Sequence, residues 1–178
     1  MKKCIAILRG INVGGHRKIL MVDLKLKLTS IGFIDVSTYI QSGNVVLESE
    51  SNPESKIKEL IQSNLGFSPE VLALTETEFN SAVINNPYQE HSGKVLEGKY
   101  VHFYFCKEMP SLNTEKLDAV ASKTERYRLI DKVFYLHAPD GIGRSKMVTK
   151  IEACFGVPAT GRNLNTVNKV QQMIQSKK

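Results

Sequence analysis

The chain has 178 residues and a formal net charge of +6, a length that suits one large domain or two small ones rather than a multidomain assembly. Hydrophobic residues make up 42% and charged residues 24%, ordinary globular usage that excludes disorder as the main state. Such a chain buries roughly two-thirds of its unfolded surface, so it needs neither a disulfide framework nor a structural metal to fold.

Residues 4–8 form a continuous apolar run that ends in Gly10 and the pair Gly14-Gly15, which predicts a buried strand followed by a turn-rich loop. Met21, Leu24, Leu28 and Ile31 recur at spacings of three and four, one face of a helix over residues 21–31. Gly32 stands where a helix C-terminus needs a left-handed residue. Residues 36–41 and 44–47 are rich in β-formers and flank Ser42-Gly43, predicting a hairpin around a two-residue step. Pro53 opens a helix with Ile57, Leu60, Ile61 and Leu65 on one face, and residues 70–74 close the unit as a strand. The order is β-α-β-β-α-β, the split βαβ pattern of ferredoxin-like folds.

The second half repeats much of this order. A helix over 77–85 leads through a polar loop, 86–98, to a strand over 100–106. A helix over 113–121 follows, then strands over 126–130 and 133–136 around Asp131-Lys132. Residues 146–155 read as a helix with Met147, Ile151 and Phe155 on one side. After a strand stub at 157–159, a last helix over 163–174 turns Leu164, Val167, Val170 and Ile174 inward. The expected fold is α+β, with two ferredoxin-like subdomains of βαββαβ type, residues 1–76 and 77–178. Each has an antiparallel sheet with helices packed on one face, and the second carries an extra terminal helix. The halves share no residue-level similarity, so the duplication is architectural.

The N-terminal apolar run is too short for a signal peptide, and no run of about 18 apolar residues occurs. The expectation is a soluble, cytoplasmic protein with no membrane partner. Cys4, Cys106 and Cys154 are odd in number and form no C-x-x-C pair, which argues against a secreted disulfide scaffold. His16, His91, His102 and His137 show no metal-ligand spacing. His102 and His137 are expected on strand faces and the other two in loops, with no metal and no cofactor bound.

The charge is unevenly placed. Residues 1–28 carry seven Lys or Arg against Asp23, and residues 144–178 carry seven against Glu152. Residues 29–143 carry ten against sixteen acidic residues. Either these charges scatter around the surface, or the two basic ends meet and form a face attractive to phosphate or carboxylate groups. Lys177 and Lys178 are expected to fray and weigh little in that balance.

Topology places the candidate site. The segment Arg9 to Gly15 leaves the first strand, and Gln41-Ser42-Gly43-Asn44 turns the second strand into the third. A crossover helix makes strands one and two parallel, so both segments reach the same sheet edge, about 10 Å apart. Exposed glycine N–H groups and a helix N-terminus cradle anions. Arg9, Arg17 and Lys18 add charge, and Asn12, Gln41, Ser42 and Asn44 add neutral donors and acceptors. The alternative is that the glycines and asparagines only make turns. The glycine spacing supports neither a dinucleotide fold nor a P-loop.

A third cluster, Gly161-Arg162-Asn163, opens the last helix in this reading, and Ser145-Lys146 opens the one before. Thr160, Asn163 and Ser145 are natural N-caps, whereas Arg162 at a helix N-terminus calls for an anionic partner. No catalytic triad assembles, and Ser42 lacks the nucleophile-elbow pattern. Ser145 and Lys146 are adjacent on a helix and point about 100° apart. Tyr100, His102 and Tyr104 alternate with Val101, Phe103 and Phe105, so one set packs in the core and the other either packs too or faces a ligand.

Four stretches carry a resemblance. They are residues 8–15 (LRGINVGG), 39–46 (YIQSGNVV), 143–146 (GRSK) and 158–167 (PATGRNLNTV). In that order, over nearly the whole chain, they resemble the bacterial domain-of-unknown-function family 1697. The resemblance implies an α+β fold of two ferredoxin-like subdomains and implies no known activity. Members of that family often carry Trp where this chain has Leu164, which implies a packing rather than a stacking role for that position here.

Three functions fit these observations. The first is binding of a phosphate-bearing ligand, a small molecule or nucleic acid, through Arg9, Asn12, Gly14, Gly15, Lys18, Gln41, Ser42 and Asn44, with Lys146, Arg162 and Asn163 at the rim. The second is an enzyme on a small anionic substrate held by Arg9, Lys18 or Arg162. The third is an interaction or scaffold protein whose polar motifs only fix turns. The sequence names no substrate and no oligomeric state.

Overall fold

Two four-stranded antiparallel sheets organise the chain. The computed structural model describes residues 1–176; Lys177 and Lys178, expected to fray, lie outside the described residues. The chain packs as two compact units, residues 1–81 with 169–178, and residues 82–168.

The first unit runs β1 (Lys2–Arg9), α1 (Met21–Ser30), β2 (Ile34–Tyr39), β3 (Asn44–Ser49), α2 (Glu54–Leu65) and β4 (Glu70–Thr75). Its sheet order is β2-β3-β1-β4, and every neighbouring pair is antiparallel. β1 and β2 both oppose β3, so they are parallel to each other, as the crossover through α1 requires.

Cys4, Ala6 and Leu8 of β1 face a core built from Leu24 and Leu28 of α1 and Ile57 and Ile61 of α2. Each of these large side chains contributes on the order of 1.5–3 kcal/mol by leaving water, and Leu28→Ala would cost about 2–5 kcal/mol through the cavity left behind. Ile5 and Ile7, on the opposite face of β1, are buried as well, which is why this strand reads as an unbroken apolar run. Glu54 ties α2 to the sheet, its Oε1 accepting the Ala73 N–H at 2.9 Å.

Two positions leave the expected helix faces. Ile31 is 41% exposed and Leu65 44% exposed. Ile31 is the C-cap of α1, outside the helical repeat, and Leu65 is the last residue before the left-handed Gly66. The β2–β3 connection spans residues 40–43 rather than two residues.

α3 (Glu76–Ile84) leads into the second unit. There β5 (Glu90–His91) and β6 (Lys94–Val95) form a small hairpin inside the segment expected to be plain loop. β7 (Val101–Cys106), α4 (Thr114–Asp118), β8 (Arg126–Ile130), β9 (Val133–His137), a single 3-10 turn at Ile142–Arg144, α5 (Lys146–Phe155) and β10 (Ala159–Asn163) follow. The sheet order β10-β7-β9-β8 repeats that of the first unit strand for strand. Tyr104, Cys106, Phe134 and Leu136 pack against Leu117 of α4 and Met147, Ile151 and Phe155 of α5. α6 (Leu164–Gln175) ends the described chain; its C-terminal part packs in the first unit, where Lys3 Nζ donates to the Ile174 carbonyl at 2.9 Å. The sequence reading set the division at 76/77 and kept all of this helix with the second half.

Two expectations are corrected here, and one open alternative is decided. The helix expected over 113–121 is a five-residue α4 with one buried anchor, Leu117. The strand stub expected at 157–159 is β10, so Thr160 and Arg162 belong to a strand rather than a helix start. Pairing with β7 decides this: Gly161 lies opposite Tyr104, and a Cβ at Gly161 would come within 2.8 Å of the Tyr104 ring. A glycine that reads as loop thus lets an aromatic ring lie across the strand. Finally, of the two readings left open for β7, packing holds: Val101, His102, Phe103, Tyr104 and Phe105 are all buried, and Tyr100, just before the strand, is half-buried. These rings pack with one another, as in the edge-on Phe103–Tyr135 pair at 4.8 Å, and offer no platform for a base.

Candidate functional site at the loop edge of the first unit

The parallel run of β1 and β2 delivers two loops to one edge, and the structure joins them through Asn12. The Asn12 Oδ1 accepts the Ile19 N–H at 2.8 Å, and Nδ2 donates to the Ile19 carbonyl at 3.0 Å. Nδ2 also donates to the Gln41 carbonyl at 2.8 Å, with Gln41 Oε1 at 3.2 Å. The side chain imitates a strand partner for Ile19 and crosses to the β2–β3 turn. The Ile19 N–H fixes which way the amide points, because only an oxygen can accept it.

Between Asn12 and Ile19 the chain makes a miniature hairpin. The His16 N–H returns to the Val13 carbonyl at 3.0 Å and the Asn12 N–H to the Arg17 carbonyl at 3.1 Å. Gly14 and Gly15 sit at its tip with φ of 58° and 78°, the left-handed pair that a two-residue hairpin turn matching strand twist demands. No atom lies within 4 Å of a Cβ built on Gly15, so backbone conformation rather than crowding calls for glycine there.

Gly43 differs. Its φ is 85°, and a Cβ would meet Leu8 Cβ and Ile11 Cδ1, each at 2.7 Å. Its carbonyl accepts the Leu8 N–H at 2.8 Å, extending the β1–β3 ladder into the turn. Asn44 is 1% exposed, and its Nδ2 donates to the Tyr39 carbonyl at 3.0 Å and to Ser42 Oγ at 3.2 Å. Asn12 and Asn44 therefore spend their amides on holding the turns together, and neither is free to act as the ligand donor the sequence suggested.

Charge enters from the hairpin's return arm. His16, Arg17 and Lys18 are exposed, and among the described residues Arg17 and Lys18 are in no ion pair. Arg17 lies over the Phe67 ring, 6.0 Å from its centroid, and its Nη1 would be 3.4 Å from a Cβ at Gly10. Arg9 is half-buried at the end of β1.

Strain also collects here. Three non-glycine residues at this edge have positive φ: Asn12 at 54°, Arg17 at 49° and Ile40 at 48°. For β-branched Ile40 that conformation is an outlier. Each such residue stores about 1–3 kcal/mol. Nothing in the sequence signals Ile40, which reads as strand.

Lys146, Arg162 and Asn163 belong to the second unit. Ser145 Oγ accepts the Val148 N–H at 3.2 Å and caps α5; Lys146 beside it is exposed, so the two form no catalytic pair. Asn163 Oδ1 accepts the Thr166 N–H at 2.9 Å and caps α6. Arg162 lies in β10 opposite Phe103 and donates from Nη1 to the Gly161 carbonyl at 2.8 Å. Burial lowers its guanidinium pKa to about 10. Burial pushes the Cys106 thiol up to about 11 and also raises that of Cys4, so neither is poised for nucleophilic chemistry. Among the described residues no group of His, Cys, Asp and Glu could hold a metal ion, and no helix is long and apolar enough to cross a membrane.

A family model described as a protein of unknown function, DUF1697, matches residues 1–135, the span that holds the whole loop edge. The chain belongs to this family. A solved structure, a conserved bacterial protein, SP0830, from Streptococcus pneumoniae, superposes with a TM-score of 0.69 at 22% identity, over 97% of this chain and 98% of that one. At that identity the likeness speaks for the fold, and it agrees with two sheet-and-helix halves. No curated protein matches the chain.

Proposed function

We propose that the loop edge of the first unit binds a phosphate-bearing ligand. The observation that carries this reading is the coincidence of strain and unpaired charge. Asn12, Arg17 and Ile40 are all held left-handed where two loops meet, and among the described residues Arg17 and Lys18 have no acidic partner there. Backbone strain persists where the surroundings over-determine it, and it concentrates at ligand sites.

In this reading Asn12 and Asn44 are struts. The contacts come from Arg17, Lys18 and Arg9, with the Gly14-Gly15 tip closing over the anion. Each charge-assisted contact to a phosphate is worth about 1.5–3 kcal/mol. The second reading of the sequence, an enzyme, gains no support from a nucleophile or an acid–base pair at this edge.

Thermal-shift measurement against nucleoside mono-, di- and triphosphates, inorganic pyrophosphate and a short single-stranded oligonucleotide tests the reading. A ligand at a hundred times its Kd adds about 2.7 kcal/mol, or roughly 5–10 °C for a chain of this size. The double variant Arg17→Ala/Lys18→Ala is expected to remove that shift while keeping the ligand-free midpoint. If no phosphate compound shifts the midpoint, or the double variant responds like the parent, the proposal fails.

A further inference from the structure

A second cluster stands apart from the loop edge, inside the second unit. Arg126 opens β8 opposite His137 of β9. Its Nη2 lies 3.0 Å from His137 Nδ1, and its Nη1 lies 2.9 Å from His91 Nδ1 in β5. The Tyr88 ring lies under the guanidinium at 5.6 Å and against the His137 ring at 6.2 Å.

A guanidinium only donates. The Nδ1 atoms of His137 and His91 therefore face it as acceptors. Protonating His137 replaces an acceptor with a second donor and sets two cations about 3 Å apart. No acidic group offsets this: among the described residues Arg126, His91 and His137 are in no ion pair. The charged and titratable groups facing His137 are Arg126 from β8 and His91 from β5. Tyr88, beside it, is in turn influenced by Arg126 and Arg128.

We infer that this bridge is an acid-released latch, holding the segment 86–98 to the second sheet while the Arg126 guanidinium sits on the His137 Nδ1 and freeing it when His137 takes up a proton. The segment has few other ties. His91, Ser92, Gly93, Lys94 and Val95 are exposed, and the bond from the Leu96 N–H to the Gln89 carbonyl closes the hairpin on itself. Its ends are fixed, Asn86 by burial and Gly98 by accepting the Leu164 N–H at 3.1 Å. Release therefore frees the middle without unfolding the unit.

The sign follows from linkage. Burial first, then Arg126 and His91, lower the affinity of His137 for a proton. The released state binds protons at the ordinary imidazole value of about 6.5, so docking is strongest above that pH and weakens as pH falls below it. One proton taken up on release changes the opening equilibrium about tenfold per pH unit.

Amide hydrogen exchange of the whole protein, read by mass spectrometry and corrected for intrinsic rates, tests this between pH 7.5 and 5. Protection of residues 88–95 should fall at least tenfold while β7 and β9 hold theirs. His137→Asn keeps an acceptor near the Nδ1 position that does not titrate. It should retain protection at pH 7.5 and lose the pH dependence. Arg126→Met should expose the segment at every pH. Unchanged protection across the range in the parent protein overturns the latch, as does a pH response in His137→Asn equal to the parent's. Should His137→Asn not fold, Arg126→Met and the parent titration still decide.

Discussion

Replacing Asn12 by alanine separates a strut from a ligand contact. The substitution removes the acceptor at 2.8 Å from the Ile19 N–H and the donors to the Ile19 and Gln41 carbonyls. Ile19 is 4% exposed, so water does not easily replace these partners, and orphaned buried groups cost about 1–3 kcal/mol. Alanine is also less at ease than asparagine at a φ of 54°, which adds about 1 kcal/mol. The expected loss is about 2–4 kcal/mol, read as a lower midpoint in urea unfolding at unchanged slope. Gln41→Ala is the control. It removes only the exposed 3.2 Å contact to Oε1 and leaves the main-chain acceptor, so it should stay within about 0.5 kcal/mol of the parent. A loss below about 1 kcal/mol for Asn12→Ala, together with abolished ligand binding, would show that the amide serves a ligand and that the strut reading is wrong.

Other consequences are as direct. Gly43→Ala meets both a left-handed φ and two carbons at 2.7 Å, so it should cost about 2–4 kcal/mol; Gly15→Ala, with open space around it, should cost only about 1–2 kcal/mol, and equal unfolding midpoints would refute the distinction. Cys106 and Cys154, 2% and 3% exposed, should resist a thiol reagent at pH 8 in the native protein and react together on unfolding, and rapid modification of the folded chain would contradict the packing described.

The sheet topology was legible because it rests on periodicity. Apolar residues at spacings of three and four marked α1 and α2, and unbroken apolar runs marked β1 and β7, each buried on both faces. The meeting of the loops at Asn12 and Gln41 followed from strand direction alone. What the sequence hid depends on partners far along the chain. Gly161 carries a turn-forming identity, yet pairing with β7 holds it in a strand. Ile40 carries a strand-forming identity, yet it is left-handed in a turn. Arg126 and His91 are 35 residues apart, and no local pattern announces their bridge. The asparagines were found but their work was misjudged: residue type shows that an amide can donate, and only the structure shows that it already does.

The two halves show how far topology reaches and where chemistry takes over. In the first, the Leu8 N–H of β1 donates to the carbonyl of Gly43, the last residue of the β2–β3 turn, at 2.8 Å; in the second, the Cys106 N–H of β7 donates to the carbonyl of Lys132, the last residue of the β8–β9 turn, at 2.9 Å. Each fold thus brings the loop after its first strand against its second turn. The second half closes that meeting with a two-residue turn, residues 131–132, in which Asp131 is also left-handed at a φ of 51°, and with Lys132 Nζ donating to the Lys107 carbonyl at 3.2 Å. The first spends a four-residue turn, a left-handed Ile40, a glycine hairpin and a bridging asparagine on the same junction, and among the described residues leaves Arg17 beside it without an acidic partner. Both turns hold a left-handed non-glycine residue, so strain alone does not set the halves apart; the longer turn, the glycine hairpin and the bridging Asn12 do. Fold alone assigns no function, and these additions mark the edge at which the ligand-binding proposal is to be tested.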